Sequence, residues 1–118
     1  MARRVARGEI WLHRFAAPDK RRPVVVLSRN DALEVLGLAM VAPITSTIRG
    51  LPSEVAVGVE HGLKASSAVN LDHVQTVRQA DLKKFVGTLS PELMAAVCRA
   101  LGVATSCGGA SSQGVSND

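Results

Sequence analysis

Short apolar runs, each bounded by glycine, proline or serine, are the feature that most restricts how this chain folds. They include VVVLS after Pro23, LAMVAPIT at residues 38–45 and EVAVGVE at residues 54–60. Runs of this length between turn residues are typical of short strands. Because aromatic residues make up only 3% of the chain, aliphatic side chains must fill the core, which also favours valine-rich strands. The sequence therefore predicts a mainly β domain with short helices.

Length and composition set the domain organisation. A chain of 118 residues is the size of one domain, and we assign residues 1–104 to it. The remaining residues 105–118 are small and polar, so we expect a disordered tail. The two cysteines fit no metal-binding spacing, and we expect Cys98 to pack as a reduced, apolar residue on a helix.

The strand pattern can be followed along the chain. GEIWLHRF predicts a first strand with Ile10 and Leu12 on one face and Trp11, His13 and Phe15 on the other. A second strand follows Pro23, and Asn30 or Asp31 is expected to cap a short helical turn that ends at Gly37. LAMVAPIT is apolar throughout and predicts a strand buried on both faces, with Ile44 and Thr45 turning out of the sheet after Pro43.

The second half of the chain predicts a further strand at EVAVGVE, a strand or strand pair at AVNLDHVQTV, and a short helix and last strand in RQADLKKFVGTL. SPELMAAVCRALG is the strongest helical signal, with Ser90 as N-cap, Pro91 in the first turn and Gly102 beyond the end. Leu93, Val97 and Leu101 are predicted to form its buried stripe. Many short strands with one terminal helix indicate a small, curled β-barrel.

Charge is distributed unevenly. Residues 1–29 carry eight Lys or Arg and two acids, a net charge of +6, whereas residues 30–118 carry six and eight, a net charge of −2. Such a basic segment suits a polyanionic ligand and salt-sensitive binding. No apolar run is long enough to span a bilayer, and the basic start is not followed by a signal-peptide core. We expect a cytoplasmic protein with no membrane association.

Five segments, taken in order, resemble the MazF/PemK family of toxin endoribonucleases. They are RGEIW, RRPVVVLS, APITST, AVNLDHVQTV and LSPELMAAVCRAL, which together span roughly residues 7 to 103. The resemblance implies an SH3-like barrel with a C-terminal helix and a symmetric homodimer. It also implies cleavage of single-stranded RNA without metal or cofactor, and a cognate antitoxin that occupies the RNA groove.

The resemblance places the family's reactive arginine at Arg22 and its reactive threonine at Thr45. An arginine binds two phosphate oxygens through its planar fork, and a threonine hydroxyl adds a further hydrogen bond. Arg21 is predicted to contact RNA, or to serve only as a solvated charge. Ser46, Thr47 and Arg49 follow Thr45 and are candidate phosphate ligands, although such residues also form ordinary turns.

The segment LDHVQT departs from the commoner family pattern, which has Glu-Gln before a hydrophobic residue and Arg two places later. Here Asp72, His73 and Gln75 occupy those positions, and they are candidate RNA contacts. Fewer fixed charges predict a changed base preference. His73 stacks on a base, takes part in proton transfer, or is structural; the sequence leaves these roles open.

Two other functions stay open at this stage. One is a non-catalytic nucleic-acid-binding module with the same barrel, and the other is a toxin of related fold that poisons a topoisomerase through its terminal helix. The pairing of Arg22 with Thr45 favours the endoribonuclease, because a simple binding module needs the charge but no hydroxyl beside the scissile phosphate.

Overall fold

The computed structural model describes residues 4–14 and 21–107, which form an antiparallel sheet with two α-helices. Phe15 and most of the predicted tail lie outside these residues. The strands are β1 (Glu9–Arg14), β2 (Arg21–Val26), β3 (Leu38–Thr45), β4 (Glu54–Val57), β5 (Ser67–Asn70), β6 (Gln75–Arg78) and β7 (Leu82–Thr88). The α-helices are α1 (Asn30–Val35) and α2 (Pro91–Thr105), and 3₁₀ turns cover Val59–His61, Leu71–His73 and Gln79–Asp81.

The strands follow the order β4-β5-β3-β2-β1-β7, with β6 also paired to β3. β3 exchanges partners along its length: Leu38–Val41 pair with β6, and Ile44 and Thr45 pair with β5. This exchange curls the sheet into a small barrel-like form, although the path ends at β4 and β7 without closing. The predicted class, a small SH3-like β-barrel with a C-terminal helix, is confirmed.

Hydrophobic side chains fill both sides of the curled sheet. One cluster contains Ile10, Val25 and Ile44 and packs against α2, while a second contains Trp11, Val24 and Val26. The continuous valine run in β2 follows from this arrangement, because successive side chains enter different clusters. The predicted faces of β1 are confirmed by Ile10 in the first cluster and Trp11 in the second.

Helix α2 begins as predicted and ends later. Ser90 is the N-cap, and its hydroxyl accepts a hydrogen bond from the amide of Leu93. The helix passes Gly102 and ends at Thr105, and its C-cap Ser106 adopts a left-handed conformation with φ of 58°. Its buried residues are Met94, Val97 and Ala100, so the predicted stripe is shifted, and Leu93 and Leu101 lie half-buried at its edges.

Several local predictions are wrong. β2 begins at Arg21 and not after Pro23, since Arg21 and Arg22 pair with Arg14 and His13 of β1. β3 is not buried on both faces, because Leu38 and Met40 point to solvent. Ile44 and Thr45 do not leave the sheet, because they pair with Val69 and Ala68 of β5.

The predictions for α1 and Cys98 also need correction. Arg29, not Asn30 or Asp31, is the N-cap of α1, and the helix ends at Val35 with Leu36 as its C-cap, before it reaches Gly37. The Asn30 side chain instead accepts a 2.7 Å hydrogen bond from the Arg7 amide. Cys98 is exposed, because it follows the buried Val97 by one helical step, and it accepts a 3.2 Å contact from the Arg7 guanidinium.

Neither α-helix is long and apolar enough to cross a membrane, a finding that covers residues 4–14 and 21–107.

Candidate nucleic-acid interface

A groove of about 700 Å³ runs between the start of β2, the end of β3 and the middle of β7. Its described lining contains four basic side chains and no carboxylate. Hydroxyl-bearing and apolar residues complete the lining. An open groove with this composition attracts an anionic ligand and also offers apolar surface to flat groups.

Arg21 and Arg22 form the basic edge of the groove at the start of β2. Register with β1 fixes both positions, since Arg22 lies opposite His13 and Arg21 opposite Arg14. Pro23 follows and also lines the groove. Both arginines are exposed to solvent, so one strand end supplies two basic residues to the groove lining.

Thr45 ends β3 on the same groove, half-buried and paired with Ala68 of β5. Its hydroxyl oxygen accepts a 3.0 Å hydrogen bond from the Thr47 amide. Because that contact uses a lone pair of the oxygen, the hydroxyl proton is left to donate to a ligand. Ser46 and Thr47 also line the groove, so the predicted hydroxyl cluster is brought together with the arginines.

The β3–β4 loop, residues 46–53, is held by one carboxylate. Glu54 Oε1 accepts hydrogen bonds from the amides of Arg49 at 3.1 Å, Gly50 at 2.9 Å and Leu51 at 3.4 Å. These contacts fix the loop that continues from Thr45 through the groove residues. Arg49 itself is exposed and does not line the groove.

Asp72, His73 and Gln75 lie outside the groove lining. Asp72 accepts a 2.5 Å hydrogen bond from the Ser53 hydroxyl. The His73 Nδ1 atom lies 2.9 Å from the Asn70 side-chain nitrogen. These contacts stabilise the 3₁₀ turn Leu71–His73, and all three predicted residues remain exposed.

Sequence reasoning missed Lys64 and Lys84, which also line the groove. Lys64 follows the turn that ends at Gly62, and Lys84 lies in β7. A surface lysine in a loop or a strand carries no distinctive motif. The alternation of β7 alone also does not reveal that Lys84 faces this groove.

His13 lies beneath the basic edge as the register partner of Arg22 and is 6% exposed. Burial lowers the pKa of His13 from its ordinary value of 6.5, and the negative charge of Asp81 opposes that shift. The imidazole is therefore neutral at pH 7. Among the described residues, no group of three or more His, Cys, Asp or Glu side chains is placed to hold a metal ion.

A curled antiparallel sheet with a cationic, hydroxyl-lined groove has the chemistry to attract a polyanion. Comparison with known proteins specifies the family: residues 6–105 match the model described as PemK-like, MazF-like toxin of type II toxin-antitoxin system. The chain is 50% identical over 105 residues to the probable endoribonuclease MazF5 of Mycobacterium tuberculosis, a match that covers 86% of this chain and 94% of that protein. The chain therefore belongs to the PemK/MazF-like family of toxins.

Solved structures agree with this assignment. The Mycobacterium tuberculosis toxin MazF-mt6 superimposes with a TM-score of 0.77 at 37% identity, covering 83% of this chain and 96% of that one. A MazE-MazF crystal structure from Deinococcus radiodurans gives a TM-score of 0.71 at 26% identity, covering 86% of this chain and 95% of that one. The predicted family resemblance is confirmed.

Proposed function

We propose that this toxin is a sequence-specific endoribonuclease that cleaves single-stranded RNA in the groove. The observation that carries the proposal is the convergence of Arg22 and Thr45 on one groove from two different strands. Support also comes from the relative MazF5, which is named a probable endoribonuclease. These observations favour RNA cleavage over a simple binding module or a topoisomerase poison.

Cleavage follows from attack by the ribose 2′-hydroxyl on the adjacent phosphorus. The 2′-oxygen forms a bond to phosphorus as the bond to the 5′-oxygen breaks, giving a 2′,3′-cyclic phosphate and a 5′-hydroxyl. The 2′-hydroxyl proton passes to solvent and the departing 5′-oxygen takes a proton from solvent, so protons balance and no cofactor is consumed. Metal ions are not required for these steps.

Arg22 and Thr45 act on the charge that develops at phosphorus. The Arg22 guanidinium stabilises the phosphorane oxygens with two parallel hydrogen bonds. The Thr45 hydroxyl, whose oxygen is held by the Thr47 amide, donates a further bond. Each donor is preorganised by a strand end, which makes it most effective in the transition state.

Other predicted contacts extend the RNA site. Arg21, Ser46 and Thr47 line the groove and bind flanking phosphates. Four further candidate residues are exposed outside the groove and contact RNA that continues beyond it: Arg49, Asp72, His73 and Gln75. Because Asp72 and His73 are held by Ser53 and Asn70, they offer fixed edges to bases.

The toxin acts as a homodimer in the cytoplasm and is inhibited by its cognate antitoxin. The open sheet edges at β4 and β7, and exposed apolar residues such as Val35 at 80% and Leu36 at 53%, support self-association. The charge of +6 on residues 1–29 supports an acidic antitoxin segment that competes with RNA. Light scattering that finds only monomer at micromolar concentration would contradict the dimer.

End-group analysis tests the proposed reaction. Purified protein is incubated with a defined single-stranded RNA in EDTA, and the fragments are treated with enzymes that distinguish cyclic phosphate from linear phosphate. We expect cleavage at a short recurrent sequence with 2′,3′-cyclic phosphate and 5′-hydroxyl ends. Binding of RNA without any cleavage would favour the non-catalytic module.

A further inference from the structure

Lys64 and Lys84 form a second basic wall on the groove, separate in sequence from the arginine edge. Both side chains are exposed and line the groove. Neither has a carboxylate partner among residues 4–14 and 21–107. Two uncompensated cations in a groove without acids raise the local concentration of an anion.

Close backbone packing fixes this wall. Gly62 has φ of 91°, and a Cβ atom there would lie 2.5 Å from the Val86 carbonyl oxygen. At Gly87 a Cβ atom would lie 2.2 Å from the His61 carbonyl oxygen. The turn Val59–His61 and β7 therefore contact each other through backbone, and the loop carrying Lys64 is held against the strand carrying Lys84.

A register shift directs Lys84 into the groove. Leu12 pairs with Lys84 and His13 pairs with Leu82, so Lys83 is an extra residue in β7. In a regular strand Leu82 and Lys84 would share one face. The extra residue lets Leu82 enter the core cluster of Trp11 while Lys84 joins Leu12 on the groove.

Each lysine has an apolar groove residue beside it. Leu63 precedes Lys64 in sequence, and Leu12 pairs with Lys84 between β1 and β7; both apolar residues line the groove and are half-buried. A single-stranded nucleic acid presents anionic phosphates and flat apolar bases in alternation, which matches cations interleaved with apolar surface. An acidic peptide would match the cations alone.

We propose that Lys64 and Lys84 are phosphate-positioning residues, which bind phosphates flanking the scissile one and set RNA affinity and not the cleavage rate. This inference rests on the proposed endoribonuclease function for its RNA substrate. The bases between those phosphates lie against Leu63 and Leu12. The site thus has a reacting edge at Arg22 and Thr45 and a holding wall at Lys64 and Lys84.

Binding and cleavage measured separately test the inference. Binding uses fluorescence anisotropy with a mixed-sequence RNA whose 2′-hydroxyls are methylated, so that it cannot be cleaved. The variants are Lys64→Ala, Lys84→Ala and the control Lys83→Ala, which removes an exposed neighbouring charge outside the groove. Salt titrations accompany each measurement, and steady-state cleavage of unmodified RNA gives kcat and KM.

We expect Lys64→Ala and Lys84→Ala each to weaken binding by roughly threefold to tenfold at low salt. The slope of log affinity against log salt should fall by about 0.7 for each lost phosphate contact. KM should rise with kcat unchanged. Lys84→Arg should restore binding, because it keeps the charge, whereas a merely structural lysine would not give this rescue together with the changed salt slope.

Three results would overturn the inference. If Lys64→Ala and Lys84→Ala bind RNA as tightly as Lys83→Ala, the two lysines make no phosphate contacts. A fall in kcat alone would place the lysines at the reacting phosphate. Unchanged RNA binding with lost binding of a poly-glutamate peptide would assign the wall to a protein ligand. If the wild-type protein binds RNA through these lysines without cleaving it, the holding wall stands and the proposed function fails.

Discussion

The backbone contact at Gly87 makes one substitution a sensitive test of the fold. In Gly87→Ala the new Cβ atom would lie 2.2 Å from the His61 carbonyl oxygen. Since the opposing atom is backbone, relief requires β7 and the turn Val59–His61 to separate. Overpacking costs about 1 to 3 kcal/mol, and we expect the upper half of that range. For a domain of about 100 residues this corresponds to a fall in Tm of roughly 8 to 24 °C.

Thermal unfolding followed by circular dichroism measures this effect. Gly37→Ala is the matched control, because no heavy atom lies within 4 Å of its added Cβ atom and its φ is not positive. We expect that control to stay within about 0.5 kcal/mol of the wild-type free energy of unfolding. Equal Tm values for the two variants would refute the close approach of the two segments.

Three further predictions concern other parts of the fold. Burial lowers the pKa of His13 against the opposing effect of Asp81, so the unfolded chain binds the proton more readily than the folded one. The free energy of unfolding should therefore be full above pH 6.5 and fall below it. Urea titrations should show a flatter pH dependence in His13→Gln. Glu54→Ala removes the acceptor of the β3–β4 loop amides, so hydrogen exchange at residues 49–51 should accelerate; unchanged exchange would contradict that role. Ser90→Ala should lower the free energy of unfolding by about 1 kcal/mol in chemical denaturation, whereas Ser90→Asp should retain most of it.

Local signals in the sequence predicted the parts of the fold that depend on local chemistry. The valine run after Pro23 is buried because its side chains alternate between two clusters, and Ser90 caps α2 because its hydroxyl reaches the next turn. The resemblance to the family, and not local chemistry, predicted Arg22 and Thr45 as active-site residues. The structure brings these two residues together, although their catalytic roles stay predictions.

Features that depend on pairing between distant segments were not predictable from the sequence. The outward side chains of Leu38 and Met40 result from pairing with β6 on a curled sheet, which an apolar run does not reveal. Lys84 reaches the groove only because the register shifts at Lys83. The prediction that Cys98 packs as an apolar residue was wrong, because the orientation of α2 on the sheet decides which of its side chains are buried.

Single-turnover cleavage by Arg22→Ala and Thr45→Ala tests the proposed active site most directly. The proteins are mixed in excess with an end-labelled RNA, with Lys83→Ala as a folded control that leaves the groove intact. Each active-site variant should keep the wild-type circular dichroism spectrum and lose about 10²- to 10³-fold in cleavage rate, because it lacks one transition-state donor. Folded Arg22→Ala and Thr45→Ala proteins that cleave at the rate of Lys83→Ala would contradict the assignment.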